Sequence, residues 1–192
     1  YGIGLRWHPN SSIVDSLIFE EGGNGLEKSF WPTGSKRQTG KFSSGKKDGQ
    51  WTYYHKNGIK GQEVIYKADS AISFTCFDEQ GNVQTKDCIY EREATFEGGD
   101  KAWTRYLIQK LNTTKLPKAY DQGKIGGTVY VQFVVDIDGS ITDIKVIRSV
   151  HPDLDIIAVN IVRESPKWIP AVQYNRKVKT YRKQPFIFTK TD

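Results

Sequence analysis

Three histidines, two cysteines and a few acidic clusters are the residues of this chain able to ligate a metal or to catalyse. His8, His55 and His151 lie far apart, none beside a cysteine or within an acid-rich run. Cys76 and Cys88 have neither a second Cys-x-x-Cys nor a histidine at ligand spacing, which argues against zinc. Asp136-Ile137-Asp138-Gly139 has the flavour of a calcium loop, but counting Asp136 as the first position puts Ile141 where the loop needs glycine. His151-Pro152-Asp153-Leu154-Asp155 sets a histidine beside two carboxylates; Pro and Asp there read better as the opening of a helix. Gly98-Gly99-Asp100 resembles an anion-binding turn without the Lys-Ser/Thr sequel of a phosphate loop, so Asp100 is read as the cap of a helix beginning at Lys101. No nucleophile elbow is present. These residues predict no enzyme, no metal and no cofactor, and function is sought in binding surfaces.

The elements that position such surfaces are clearest after residue 94. Trp103, Tyr106, Leu107 and Leu111 recur at helical spacing, giving a helix that ends near Asn112. Val129, Val131, Phe133 and Val135 alternate with Tyr130, Gln132 and Val134 as a half-buried strand. Asp138-Gly139 signals a two-residue hairpin, and Ile144, Val146 and Val150 line the return strand. Leu154, Ile157, Ala158, Ile161 and Val162 form the buried stripe of a second helix. Pro166-Lys167-Trp168-Ile169-Pro170 ends it, and a polar, basic connection leads to a closing strand, Gln184-Pro185-Phe186-Ile187-Phe188-Thr189-Lys190. Three antiparallel strands with two helices on one face make a two-layer α+β unit. Its last strand is the expected edge: Pro185 lacks an amide proton, so the strand begins there or turns that side to solvent. Phe186 and Phe188 are expected to point inward, Ile187 and Thr189 outward.

The first half reads differently. Phe30-Trp31-Pro32-Thr33-Gly34, Tyr53-Tyr54-His55-Lys56-Asn57-Gly58 and Cys76-Phe77-Asp78-Glu79-Gln80-Gly81 are similar phrases, spaced 24 and 23 residues apart. A period of that size with aromatic strand, glycine turn and polar strand predicts hairpins laid side by side over roughly residues 25 to 90. Trp31, Trp51, Tyr53, Tyr54 and Tyr66 are expected to form the repeat core. Ser12 to Phe19 reads as a first strand, ended by Glu21-Gly22-Gly23-Asn24-Gly25. Cys76 and Cys88 flank the last glycine turn; a hairpin centred on Asn82 sets them face to face, and one centred between Gly81 and Asn82 pairs Cys76 with Asp87 instead. They are a candidate disulfide.

Charge supports two units, 1–93 and 94–192. The net charge is +6; residues 1 to 93 carry 12 basic and 12 acidic side chains, so the excess lies entirely in the second half. Lys167, Arg176, Lys177, Lys179, Arg182, Lys183 and Lys190 meet no acid between Glu164 and Asp192, a local positive field that reads first as solvated lysines flanking a sheet. Nothing accompanies it that would read nucleic acid. No run approaches the roughly 18 apolar residues needed to span a bilayer. The chain lacks methionine, so a leader or membrane anchor is expected upstream of the segment.

Three segments carry a family resemblance: Phe96-Glu97-Gly98-Gly99, the Asp138-Gly139 hairpin, and Trp168-x-Pro170 followed by a closing strand. Together they resemble the C-terminal domain of TonB, the energy transducer of the Gram-negative envelope, over residues 94 to 192. Gly45-Lys46-Lys47-Asp48-Gly49-Gln50-Trp51 resembles the Gly-x-x-x-Gly-x-Trp element of MORN-repeat variants. The TonB resemblance implies a periplasmic protein that captures the TonB box of an outer-membrane transporter by strand addition. The duty would fall on Gln184, Pro185, Phe186, Ile187, Phe188, Thr189 and Lys190 and on Leu116 and Pro117, with a homodimer through the same edge as a competitor. An oxidising compartment, also implied, favours the disulfide. The family often has Tyr-Pro where Leu116-Pro117 stands, and a proline-rich spacer where this chain has repeats. The second function carried forward is therefore an envelope scaffold or adaptor whose repeat domain binds glycan or another protein.

Overall fold

The computed structural model describes residues 2–189. The chain is α+β and forms two compact units. One holds the chain up to Glu91 together with Gln173–Arg176; the other holds Arg92–Val172 and the chain from Lys177 on.

The first unit is an eight-stranded antiparallel meander: β1 (Gly2–Trp7), β2 (Ile13–Phe19), β3 (Gly25–Phe30), β4 (Lys36–Ser43), β5 (Lys46–Tyr54), β6 (Lys60–Lys67), β7 (Ser70–Phe77) and β8 (Val83–Gln84), each paired with its neighbour in sequence. At one end the turns share one geometry. The amides of His8, Trp31, His55 and Asp78 donate to the carbonyls four residues on, and the fourth residue of each turn donates back to the first. That fourth residue takes positive φ, 85° at Gly58 and 64° at Ser11. The sequence phrases revealed three of these turns; the fourth was hidden because Ser11 stands in the glycine slot. The opposite end closes with two-residue turns at Ser44-Gly45 and Ala68-Asp69, both residues at positive φ, the twist that suits hairpins. Neighbouring turns are bonded laterally, Asn10 Nδ2 to Pro32 O (3.1 Å), Ser35 Oγ to Lys56 O (2.9 Å) and Asn57 Nδ2 to Glu79 O (3.0 Å).

Pairing brings one residue from every strand into a single transverse row, Arg6, Asp15, Ser29, Gln38, Tyr53, Gln62, Cys76 and Gln84. Trp51, Tyr53, Val64 and Tyr66 are the buried core on this side of the sheet. Trp31 and Tyr54 are only half-buried, which corrects their expected place in that core. Trp51 lies across Gly40, where a side chain would collide with the indole. Tyr53 stacks on Tyr174, ring centres 3.6 Å apart, and the hydroxyls of Tyr53, Tyr66 and Tyr90 form a chain with 2.9 Å links. Burial pushes the Tyr53 and Tyr66 phenols upward, so they stay protonated.

Cys76 and Cys88 are joined by a disulfide, Cα atoms 5.5 Å apart. The register corrects both hairpins drawn from sequence: Cys76 faces Gln84, because the turn is centred on Gln80 and the ladder stops after two residues. Cys88 reaches its partner from the segment beyond the ladder. Tyr174 and Asn175 then donate their amides to the carbonyls of Tyr90 and Ile89 just after it.

The rest of the chain contains β9 (Glu91–Arg92), α1 (Gly99–Thr113), the short α2 (Lys118–Asp121), β10 (Gly127–Val135), β11 (Ile141–Arg148), α3 (Pro152–Arg163), β12 (Ala171–Gln173), β13 (Arg176–Val178) and β14 (Thr180–Phe188). The main sheet of the second unit has the order β11-β10-β14, and a small third sheet has the order β13-β12-β9. Residues 171–178, a polar, basic connection by sequence, form β12 and β13, and α2 lies outside the elements expected from sequence. Phe96, Trp103, Val129, Val131, Phe133, Leu154, Ile161 and Trp168 are among the core residues between helices and sheet. Gly98, not Asp100, caps α1, and Asp100 lies in the first turn where its charge suits the helix dipole. His151 caps α3, its Nδ1 accepting from the Asp153 amide (3.2 Å) ahead of Pro152 at the first turn. The β10–β11 turn is one residue longer than expected. Val135 pairs with Ile141, the Asp136 amide donates to Ser140 O, and Gly139 closes the loop at φ 82°.

Candidate peptide-binding edge

β14 is built to be an edge. It pairs with β10 without a bulge from Gly127 opposite Phe188 to Val135 opposite Thr180, and among the described residues no strand lies on its other side. In an antiparallel ladder alternate residues turn both amide and carbonyl to the partner, the rest to the far side. Pro185 has no amide, so an unbroken register passes through it only if its nitrogen faces the free side. Lys183 and Ile187, two residues either way, share that orientation. Their amides and carbonyls, and the Pro185 carbonyl, are therefore directed at the open edge.

The side chains divide by face. Phe186 and Phe188 are buried in the core, while Ile187 is 63% exposed and Tyr181 and Lys183 are exposed as well. Gln184 is held from below: its Oε1 accepts from Trp103 Nε1 (2.7 Å). Arg182 lies over the Trp168 ring, 5.9 Å from its centre. Thr189 follows the strand, exposed, and Lys190 lies outside the described residues.

Leu116 packs against the core and Pro117 precedes α2, its carbonyl accepting from Tyr120 and Asp121. Leu116 and Pro117 lie in the connection before α2, Pro117 with extended backbone angles. Tyr120 of α2 meets Phe188 edge-on at 6.4 Å, which brings the two parts of the sequence-derived site together through that aromatic pair. The sequence reading missed Thr180 to Lys183, the first four residues of β14, because Thr-Tyr-Arg-Lys shows no inward apolar residue. The signal was their position opposite Val135 to Gln132.

The basic run is less uniform than its sequence suggests. Lys179 pairs with Asp136 (2.6 Å) and Lys167 with Asp138 (3.4 Å), both acids belonging to the β10–β11 turn. The Ser140 hydroxyl and amide, with Lys167 behind them, hold the Asp138 carboxyl down at about 2. Arg182 and Lys183 remain beside the open edge. Among the described residues no group of three His, Cys, Asp or Glu side chains could hold a metal, and no helix is long and apolar enough to cross a membrane.

An open, register-locked strand backed by a packed helical layer is the architecture of a protein-interaction domain. Residues 113–189 match the family described as Gram-negative bacterial TonB protein C-terminal. That segment, from the end of α1 through β14, is similar to this family of envelope protein-interaction domains. The match begins after Phe96-Glu97-Gly98-Gly99, so one of the three resembling segments lies outside it. Neither the curated proteins nor the solved structures gave a significant match.

Proposed function

We propose that the second unit captures an extended peptide by adding it as a fourth strand along β14, with no chemistry of its own. The observation that carries this reading is the free side of β14, where the register turns the amides and carbonyls of Lys183 and Ile187 outward beside exposed side chains, while the Pro185 carbonyl accepts from Gln184 Nε2 (2.7 Å). Main-chain bonds supply affinity, and alternate side chains supply selectivity. The family match supports a particular peptide, the TonB box of an outer-membrane transporter, and a periplasmic location. It also supports a role in transducing energy for transport. Residues 184–190 would take the peptide, with Leu116 and Pro117 at one end.

Titrating the protein with a synthetic TonB-box peptide, followed by backbone amide shifts, tests this. Shifts concentrated at residues 180–188 are expected. Unchanged shifts there would sink the reading. The same edge pairing with a second copy of the chain would compete, so peptide should dissociate any dimer.

A second reading, an envelope adaptor with a MORN-like repeat scaffold that docks a glycan or protein, draws on one observation in the first unit. Ile3, Leu5 and Trp7 lie exposed along one side of β1, with exposed Ile18 opposite Ile3. Quenching of tryptophan fluorescence by soluble glycan would favour it.

A further inference from the structure

Cations gather around Trp31 in the first unit without a counter-ion. The Arg37 and Arg176 guanidinium carbons lie 5.4 and 5.3 Å from the indole centre, and Lys56 Nζ lies 5.8 Å from it. None of the three pairs with a carboxylate among the described residues. Arg176 is only 9% exposed. Its Nη1 donates to Arg37 O (3.3 Å) and Tyr54 O (3.1 Å). Its Nε, the Arg37 Nε and the Trp31 Nε1 are buried donors without a protein acceptor.

This arrangement is costly as it stands. A buried guanidinium is ordinarily paired with an acid, and here Arg176 feels the charge of another guanidinium, that of Arg37. Burial first, then Arg37, push Arg176 down to about 10. Stacking on Trp31 and two neutral carbonyls offset part of that cost. An anion held by the three cations would relieve their like-charge repulsion.

We propose that Trp31, Arg37, Lys56 and Arg176 form a binding site for a phosphate group. A carboxylate is satisfied by one bidentate arginine. A phosphate monoester carries about −1.5 to −2 charges at neutral pH and three acceptor oxygens, which matches the three cations around Trp31. The site belongs to the first unit and does not depend on peptide capture at β14.

Calorimetric titration of the full chain with inorganic phosphate, against acetate at matched ionic strength, tests the assignment. Phosphate should bind, and Arg37→Gln and Lys56→Gln should each weaken binding about tenfold or more. Lys46→Gln, at the far end of β5, should leave it unchanged; circular dichroism confirms that each variant folds. Phosphatidylcholine vesicles with and without phosphatidate separate the sources of the group. Retention on phosphatidate that inorganic phosphate competes away and Arg37→Gln abolishes assigns a lipid headgroup; no retention assigns a free or small-molecule phosphate. Phosphate binding no tighter than acetate, or binding untouched by both Arg37→Gln and Lys56→Gln, overturns the proposal.

Discussion

The eight-stranded sheet of the first unit and the three-stranded sheet of the second are both antiparallel, but they are assembled from opposite kinds of contact. Every ladder of the first joins strands adjacent in sequence, and each turn bonds to the next turn along. The central strand of the second, β10, takes one neighbour from the next strand and the other from the end of the chain. A local sheet needs only good turns and a row of compatible side chains. The non-local sheet needs its helices and the Trp168 turn in place before β14 has a surface to join, so loop closure precedes the reward. Local assembly did not make the first unit self-sufficient: its aromatic core is finished by Tyr174 and Arg176, from deep in the second half of the sequence.

The largest effect is expected where the non-local sheet depends on one residue. Gly139 sits at φ 82°, its carbonyl accepts from the Trp168 amide (2.8 Å), and an added Cβ would lie 2.1 Å from the Trp168 carbonyl oxygen. Backbone cannot swing aside as a side chain can. Gly139→Ala combines left-handed strain with that collision and should cost about 3 kcal/mol or more. Hydrogen exchange should rise throughout the second unit while β3–β6 stay protected. Equal loss of protection in both units would break the contrast drawn above.

Tyr174→Ala runs the comparison the other way. Removing the ring stacked on Tyr53 should cost about 2 kcal/mol or more and should appear as faster exchange in β5 and β6, more than 100 residues away in sequence. The same reasoning applies to division of the chain near Glu91 to Thr95, which we propose as the boundary between the halves. Residues 1–93 alone lack Tyr174, the amides bonded to Ile89 and Tyr90, and Arg176. That fragment is expected to melt below the corresponding transition of the whole chain, and an identical midpoint would show that Gln173–Arg176 contributes little.

What could be read in advance follows the same division. β10 and β11 were legible because apolar alternation is enforced by a core on one face, and α3 because Pro152 and Asp153 start helices for local reasons. The hairpin repeat was legible where glycine marks the positive-φ position and missed where Ser11 fills it. The 171–178 hairpin was missed for a similar reason: Tyr174 and Asn175 take φ of 52° and 58° without a glycine to announce the turn. At the candidate edge, Phe186 and Phe188 gave away the end of β14, while Thr180 to Lys183 are strand only because β10 lies beside them. The cluster around Trp31 could not be read at all, since Arg176 reaches it across the whole intervening chain.

Ile187→Pro sharpens the functional side of the comparison. If the Ile187 amide faces the free side, as the register through Pro185 requires, proline there leaves the β10 ladder intact and removes one donor from any added strand. Thermal stability should change little. Affinity for a TonB-box peptide should fall by about 1 kcal/mol or more. A large loss of stability would place that amide in the β10 ladder instead. Neutralising Arg182 and Lys183 together should act mainly on association rate and on its salt dependence.

The smallest effect compares equivalent turn positions in the two units. Asp78 opens the last turn of the first sheet and Asp136 opens the β10–β11 turn, each with its amide bonded to the residue four on. Both carboxyls lie below the ordinary 3.8, for different reasons. Asp78 is lowered first by the Asn82 side chain and then by backbone amides, whereas Asp136 is lowered first by Lys179. A folded-state value below the unfolded one gives stability that is present above about pH 4 and lost as pH falls through the folded value. Both turns should therefore loosen only in strong acid. Salt tells them apart, because it screens the exposed Lys179 pair and leaves neutral hydrogen bonds almost untouched. Carboxyl shifts followed by NMR from pH 5 to pH 2, at low and high salt, should show the Asp136 midpoint rising with salt and that of Asp78 staying in place. A salt-independent Asp136 would mean that the Ile137 amide (2.6 Å), not the lysine, sets its acidity.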